Sequence, residues 1–191
     1  MGFQDEVWFS RFAQPNLHAW TSANQKPLRL IEKEADKPDK KGADGADSDP
    51  PALACYGLLR ADNGQMLLRF VAGRPVSAVT LRFLDWLLCY LAQEGKKALL
   101  MVWDNAGWHI SKQVRHWIKV HNRKVKPEGG YGCRLVVCPL PSKSPLLNNI
   151  EPKWVHGKRA VVEPDRKLPA DELKSRLCDY YRCELLDLIP Q

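Results

Sequence analysis

The chain has 191 residues, of which 45% are hydrophobic and 27% charged, so it is long enough for one well-buried α/β domain and too short for two comfortable ones. Residues 32–49 carry a net charge of −3, which leaves +10 on the rest of a chain whose formal total is +7. This excess favours a phosphate backbone over a membrane as partner, and neither a membrane-spanning apolar run nor a signal peptide is visible.

The predicted elements alternate between strands and helices. Apolar runs bounded by turn residues predict five strands, at residues 3–12, 53–60, 65–71, 98–103 and 134–138, with the second and third joined by an Asn-Gly hairpin turn. Apolar residues at helical spacing predict four helices, at residues 77–93, 111–120, 150–158 and 170–186. Residues 33–51 have almost nothing to bury, which predicts a disordered insertion.

The most informative segment is Pro139–Trp154, because it delivers one carboxylate to a fixed place. Three prolines within seven residues disfavour a helix and favour a rigid extended loop. Asn148 or Asn149 can then cap a helix that carries Glu151 on its first turn. A carboxylate held in this way is suited to binding a metal.

Two further acidic positions lie on predicted strands. Asp104 follows the fourth strand at its carboxyl end, where ligands usually bind in open α/β sheets. Asp5 and Glu6 interrupt the apolar first strand, where a purely structural strand gains nothing from paired acids. Because neighbouring side chains on a strand point to opposite faces, we expect Asp5 at the site and treat Glu6 as either a decoy or an auxiliary residue. Taken singly, each acid could merely start a turn or a helix.

Three sequence motifs in order, FQDEVWF, VWDNAGWHIS and LPSKSPLLNNIEPKW, resemble the catalytic domain of DDE transposases of the mariner-like superfamily, in particular their bacterial insertion-sequence relatives. That family places catalytic acids in the first strand, after the fourth strand, and in a Ser-Pro-x-Leu-Asn-x-Ile-Glu motif. The matching residues are Asp5, Asp104 and Glu151. Leu147 and Asn149 replace an aromatic residue and a proline that often occupy those family positions.

The resemblance implies a ribonuclease-H-like α/β fold, with a mixed central sheet flanked by helices, in a single DDE catalytic domain over residues 1–191. It implies that Asp5, Asp104 and Glu151 bind two Mg²⁺ ions, with Mn²⁺ as a substitute, and that DNA is nicked at transposon ends and then joined to target DNA. The partners it implies are double-stranded DNA and, in the DNA complex, a second copy of the chain.

Several residues near the three acids could contact DNA: His109, Lys143, Ser144, Lys153, Lys158 and Arg159. His109 could instead cap the following helix, and the charged residues could simply form a solvated face. Four tryptophans are expected in the core rather than as platforms for base stacking: Trp8, Trp103, Trp108 and Trp154.

Relatives of this kind carry helix-turn-helix modules ahead of the catalytic domain, and we expect that region to be absent here. A separate DNA-recognition subunit or an upstream reading-frame product could supply its role. Two other interpretations stay open, namely a catalytically inactive or truncated remnant that only binds DNA or assembles, and an RNA-cleaving nuclease of the same fold.

The six cysteines fit a reducing cytoplasm, and a DNA-bound protein would be associated with the nucleoid there. Cys55, Cys89 and Cys138 lie in apolar segments and are expected to be small buried side chains. The pairs Cys133/Cys138 and Cys178/Cys183 are spaced more widely than is common in zinc sites.

Overall fold

The computed structural model describes residues 1–12, 50–125, 132–141, 144–163 and 166–190. Most of the insertion expected at residues 33–51 lies outside the described residues, and so does Lys143.

In these described ranges, five strands form one mixed sheet in the order β3-β2-β1-β4-β5. The strands are β1 Gly2–Ser10, β2 Ala52–Arg60, β3 Met66–Val71, β4 Ala98–Trp103 and β5 Arg134–Pro139. β1 to β3 pair antiparallel, whereas β4 pairs parallel with both β1 and β5. β1 therefore lies at the centre of the sheet, where its antiparallel and parallel halves meet.

In the part of the chain that the structure describes, four helices cover the two faces of this sheet: α1 Ser77–Gln93, α2 Lys112–Val125, α3 Glu151–Val161 and α4 Ala170–Tyr181. α1 and α2 pack on one face through side chains such as Phe83 and Val114. α3 and α4 pack on the other face, where Trp154 and Leu173 join Val7 from β1 in a second core. This arrangement confirms the predicted α/β architecture of a mixed sheet flanked by helices.

The last helix ends earlier than its apolar pattern predicts. α4 stops at Tyr181 because Arg182 adopts a left-handed conformation, with φ 54° and ψ 47°. The backbone N–H of Cys183 then donates to the carbonyl oxygen of Cys178 at 2.9 Å, which closes the helix end. Glycine usually occupies this conformation, so an arginine there gave no stop signal.

Burial also differs from expectation at several positions. Trp103 and Trp154 are buried, but Trp8 is 47% exposed because it lies on the part of β1 that extends past the end of β4, on the face opposite the buried Val7 and Phe9. Cys89 and Cys138 are exposed, since one lies on the outer face of α1 and the other on the edge strand β5.

Within the described ranges, no helix is long and apolar enough to cross a membrane.

Candidate active site

The sheet places two of the three expected acids at corresponding positions after paired residues of neighbouring strands. β1 and β4 are parallel, and their last paired residues are Phe3 and Val102. Asp5 and Asp104 come two residues after Phe3 and Val102, respectively. β4 ends at Trp103, whereas β1 continues to Ser10 beside β2. Asp5 therefore lies where the sheet opens at the carboxyl end of β4.

The third acid is joined to Asp5 through α3. Glu151 begins this helix, and Trp154, one turn later, donates a hydrogen bond from Nε1 to Oδ2 of Asp5 at 2.9 Å. Gly57 lies opposite Asp5 on β2, and a Cβ atom at this glycine would lie only 2.2 Å from the Trp154 ring. A residue without a side chain at position 57 thus lets the indole reach the carboxylate.

The loop before α3 is fixed to β1 by a second hydrogen bond. The buried side chain of Asn148 donates from Nδ2 to the backbone oxygen of Gln4 at 3.0 Å. The expected capping role of the asparagines is therefore wrong, because α3 has Ile150 at its N-cap and no side-chain cap. The loop also differs from the extended form that we expected, since Pro145–Leu147 make one 3₁₀ turn.

Electrostatics in this pocket indicate crowded negative charge. Asp5, Glu6 and Glu151 line one pocket together with Lys158. Burial raises the pKa of Asp5, the charges of Glu151 and Glu6 raise it further, and the hydrogen bond from Trp154 opposes them, with a result of about 7. At neutral pH this carboxyl group is therefore partly protonated, and a positive charge beside the three acids would favour release of its proton.

Asp104 is held by a different set of contacts. Its Oδ1 accepts hydrogen bonds from the backbone N–H of Ala106 at 2.9 Å and from Nδ1 of His109 at 2.8 Å. The other ring nitrogen of His109, Nε2, lies 2.7 Å from Oε1 of Glu6. His109 therefore joins the loop after β4 to the acid next to Asp5 on β1.

The positive charge of His109 and the negative charges of Asp104 and Glu6 stabilise one another. Burial alone lowers the pKa of His109, but its hydrogen bonds and charge interactions with Asp104 and Glu6 outweigh that effect and raise it to about 9. The hydrogen bond from His109 in turn lowers the pKa of Asp104, and the amide of Ala106 adds to this against the opposing effect of burial. Asp104 is thus held in its anionic form at neutral pH.

The donor types fit a divalent cation. Carboxylate oxygens are the ligands that Mg²⁺ and Mn²⁺ prefer, and the repulsion that raises the pKa of Asp5 is the kind that a cation relieves. In the part of the chain that the structure describes, no three His, Cys, Asp or Glu residues are placed to hold an ion as they stand. An ion held by Asp5, Asp104 and Glu151 together would need these carboxylates to lie closer to one another than they do here.

The residues expected to contact DNA are placed differently from one another. Lys153, Lys158 and Arg159 are exposed on α3 beside Glu151, and Ser144 is half-buried in the preceding loop. His109 is only 1% exposed and both of its ring nitrogens face protein carboxylates, which argues against a direct contact with DNA.

Sequence reasoning missed three residues that shape this site. Gly57 gave no signal, because the cross-strand register that places it opposite Asp5 is not visible in the sequence. Asn148 was assigned to the wrong partner. Trp154 was expected only as a core residue, although its position three residues after Glu151 on a helix could have suggested a shared role.

Comparison with known proteins decides the family. The family model described as a DDE superfamily endonuclease matches residues 5–174, a range that includes Asp5, Asp104 and Glu151. The chain belongs to this family. Domains of the DDE superfamily generally use divalent metal ions, which agrees with the donor types at the site. None of the curated proteins searched matches the chain.

Solved structures of the Mos1 transposase have the same fold. In a paired-end complex with the left transposon end, the match has a TM-score of 0.62 at 14% identity and covers 96% of this chain and 48% of that one. The Mos1 strand transfer complex gives 0.56 at 14% identity, covering 96% and 47%. A pre-cleavage Mos1 transpososome gives 0.55 at 12% identity, covering 96% and 48%. The predicted ribonuclease-H-like fold is confirmed, and the chain spans about half the length of these proteins.

Proposed function

We propose that this DDE superfamily domain is the catalytic domain of a transposase, which cleaves DNA phosphodiester bonds and joins the resulting end to target DNA. The observation that carries the proposal is the attachment of both other acid-bearing segments to β1. Trp154, from the Glu151 helix, donates to Asp5, and His109 links Asp104 to the residue after Asp5.

The proposed chemistry assigns a separate task to each acid. Two bound divalent ions, Mg²⁺ with Mn²⁺ as substitute, would activate the attacking oxygen and stabilise the leaving oxygen. Asp5 and Asp104 would hold the ions from the sheet, and Glu151 would complete the second ion's shell from α3. Since the pKa of Asp5 is raised to about 7, its carboxyl group would release its proton as it becomes a ligand.

Two transfers at phosphorus follow in sequence. In the first, water attacks a phosphodiester, one P–O bond breaks, and a 3′ hydroxyl is left at the transposon end. In the second, that hydroxyl attacks a phosphodiester of the target and displaces a 3′ hydroxyl of the target strand. Neither transfer needs a covalent bond to the protein, because the acids act only as ligands.

A nicking assay on supercoiled plasmid with Mg²⁺ or Mn²⁺ tests this function. We expect the wild-type chain to nick the plasmid and Asp104→Asn to lose activity by at least about 10²-fold, a typical cost of removing one key stabilising group at the transition state. Unchanged circular dichroism would show that the variant is folded. Equal activity of the two proteins would contradict the proposal and favour an inactive DNA-binding module, and selective cleavage of RNA–DNA hybrids would favour an RNA-cleaving enzyme.

The exposed bases of α3 are proposed to contact the DNA backbone. Lys153, Lys158 and Arg159 lie on the helix that begins with Glu151, and Lys158 lines the acidic pocket. For Lys158→Gln we expect weaker DNA binding. The slope of the logarithm of the DNA-binding constant against the logarithm of the salt concentration should also become shallower by about one unit. The control is Lys97→Gln, an exposed lysine before β4 at the opposite end of that strand from Asp104. An equal effect of both substitutions would contradict a specific contact.

The remaining partners stay predictions. The left transposon end bound by the Mos1 transposase supports double-stranded DNA as the substrate. A second copy of the chain in the DNA complex, a separate DNA-recognition subunit and a cytoplasmic, nucleoid-associated location follow from the family resemblance. Measuring the mass of the chain with and without a short DNA duplex tests whether a second copy joins the complex. If it does, the protein mass in the DNA complex should be twice that of the free chain.

A further inference from the structure

We infer that Glu6 and His109 are positioning residues, which together fix the carboxylate of Asp104 in the orientation that a divalent cation requires. The inference rests on the proposed function, because it assigns a role to residues that support one of the three proposed ligands.

Three contacts fix the orientation of the His109 side chain, one with its ring plane and one with each ring nitrogen. Its ring stacks on Trp103 with a centroid distance of 4.4 Å and an interplanar angle of 8°. Nε2 lies 2.7 Å from Glu6 and Nδ1 lies 2.8 Å from Asp104. With the ring plane set by the indole and both nitrogens engaged, His109 has one orientation in which all contacts are made.

The bridge lies where backbone pairing between the two strands stops. The last pair between β1 and β4 is Phe3 with Val102, so backbone hydrogen bonds no longer hold the strands together beside Asp5 and Asp104. The side-chain path from Glu6 through His109 to Asp104 crosses this gap. It therefore replaces the missing ladder at the point where the two proposed ligands must keep a fixed separation.

The bridge also leaves a defined atom for a cation. Oδ1 of Asp104 accepts two hydrogen bonds, from Ala106 and His109. In the described ranges, Oδ2 accepts none, and the Asp104 side chain is 52% exposed. His109 therefore helps to hold one carboxylate oxygen, while the other accepts no hydrogen bond from the described residues.

A purely structural role explains these residues less well. The side chains of Glu6 and His109 are 7% and 0% exposed, and burying a charged pair usually gives no more stability than well-packed apolar residues of similar size. Orientation of a neighbouring ligand is what such a pair offers and an apolar pair does not.

Two substitutions of His109 separate its two hydrogen bonds. In His109→Asn the amide nitrogen takes roughly the place of Nδ1 and can still donate to Asp104. In His109→Gln it takes roughly the place of Nε2 and can reach Glu6 but not Asp104. If His109 fixes Asp104, asparagine should preserve the Mn²⁺ affinity better than glutamine does, although glutamine is closer to histidine in size.

The direct readout is Mn²⁺ affinity of the DNA-bound chain, measured by calorimetry on a non-cleavable duplex. We expect His109→Asn, which loses only the contact with Glu6, to bind Mn²⁺ several-fold more weakly than wild type, and His109→Gln to bind about 10–100-fold more weakly, the usual cost of losing a group that supports a metal ligand. In nicking assays the loss should appear as a higher Mn²⁺ requirement, with the rate partly restored at saturating Mn²⁺. Equal affinities of the two variants, or wild-type affinity in both, would overturn the inference.

His121 provides a matched control. Its ring also stacks on a tryptophan, Trp117, with centroids 5.0 Å apart, and Nε2 lies 2.9 Å from the backbone oxygen of Cys133, away from the acids. His121→Gln should leave Mn²⁺ affinity unchanged, whereas a loss equal to that of His109→Gln would show a general effect of losing a stacked histidine and overturn the inference.

A second pair of variants protects the test against misfolding. Glu6→Gln keeps an oxygen that can accept from His109, and Glu6→Ala does not. We expect Glu6→Gln to bind Mn²⁺ nearly as wild type and Glu6→Ala several-fold more weakly, and equal binding by both would count against the bridge. A wild-type chain that neither binds Mn²⁺ nor nicks DNA would instead remove the proposed function, and this inference with it.

Discussion

β1 holds the other two acid-bearing segments by links of different kinds. Toward α3 the link is buried: the Trp154 indole packs against Phe9 and Tyr181 while its N–H donates to Asp5. Toward the loop after β4 the link is a polar bridge through His109 to Asp104, half of whose side chain is exposed. The same strand thus positions one acid through a tryptophan of the core and the other through the hydrogen bonds of a buried histidine.

This difference separates stability from chemistry in the two regions. On the α3 side Trp154 contributes both to the core and to the position of Asp5, so a substitution there should weaken the fold and the site together. On the β4 side the bridge is made of buried polar groups, so a substitution that keeps a hydrogen-bonding group there should alter the site more than it alters the free energy of unfolding.

The largest expected effect is on the α3 side. Trp154→Ala removes a side chain that is 2% exposed, and we expect it to lower the free energy of unfolding by about 3–5 kcal/mol. Trp8→Ala, at a tryptophan 47% exposed on the same sheet, should cost less than about 1 kcal/mol. Guanidinium unfolding of both variants measures this. Similar losses would mean that α3 is not anchored through Trp154.

The next effect is a pH dependence at Asp5. Its pKa is 3.8 in an unfolded chain and about 7 in the fold, so the folded state holds the proton more tightly. The stability from this group is present below pH 4 and is lost as the pH rises through about 7. After allowance for partial exposure, wild type should lose roughly 3 kcal/mol relative to Asp5→Asn between pH 4 and 8 in chelator.

The measurement is denaturant unfolding of both proteins across that pH range. The difference between them isolates Asp5, because His109 and the other titrating groups are present in both. Added Mn²⁺ should restore the wild-type stability at pH 8, since a cation compensates the crowded carboxylates. A difference that does not change with pH would contradict the raised pKa.

The smallest effect concerns the loop that leads to Glu151. Asn148→Ala removes the hydrogen bond to the backbone of Gln4 and should cost about 1 kcal/mol, with a lower nicking rate because Glu151 is less fixed. Asn149→Ala, at the exposed neighbouring residue, should change neither quantity measurably. If the two variants behaved alike, the loop would not be held through Asn148.

The strands, the helices and the acidic residues could be predicted from the sequence better than the hydrogen-bond partners that hold the acidic residues in place. Alternating apolar residues around Asp5 and the apolar run before Asp104 carry their own periodic signals, so strands and sheet edge could be assigned. The partners of Asn148 and Glu6 could not, because each depends on which distant strand or loop lies beside it.

Two errors have local physical causes. α4 was expected to run on to residue 186, and it stops because Arg182 adopts a conformation that the sequence assigns to glycine. Trp8 was expected in the core because it is an aromatic residue on a central strand. It is exposed because β1 extends there past the end of β4, and because its side chain lies on the face opposite Val7 and Phe9, which α3 and α4 cover.

The most direct test of the account is the position of bound metal. Crystals of the chain grown with Mn²⁺ and a short DNA duplex would locate the ions by their anomalous scattering. The account predicts ions about 2.1 Å from carboxylate oxygens of Asp5 and Asp104, with Glu151 on one of them and His109 still bound to Oδ1 of Asp104. Ions bound at other acids, or an Asp104 carboxylate turned away from Asp5, would contradict it.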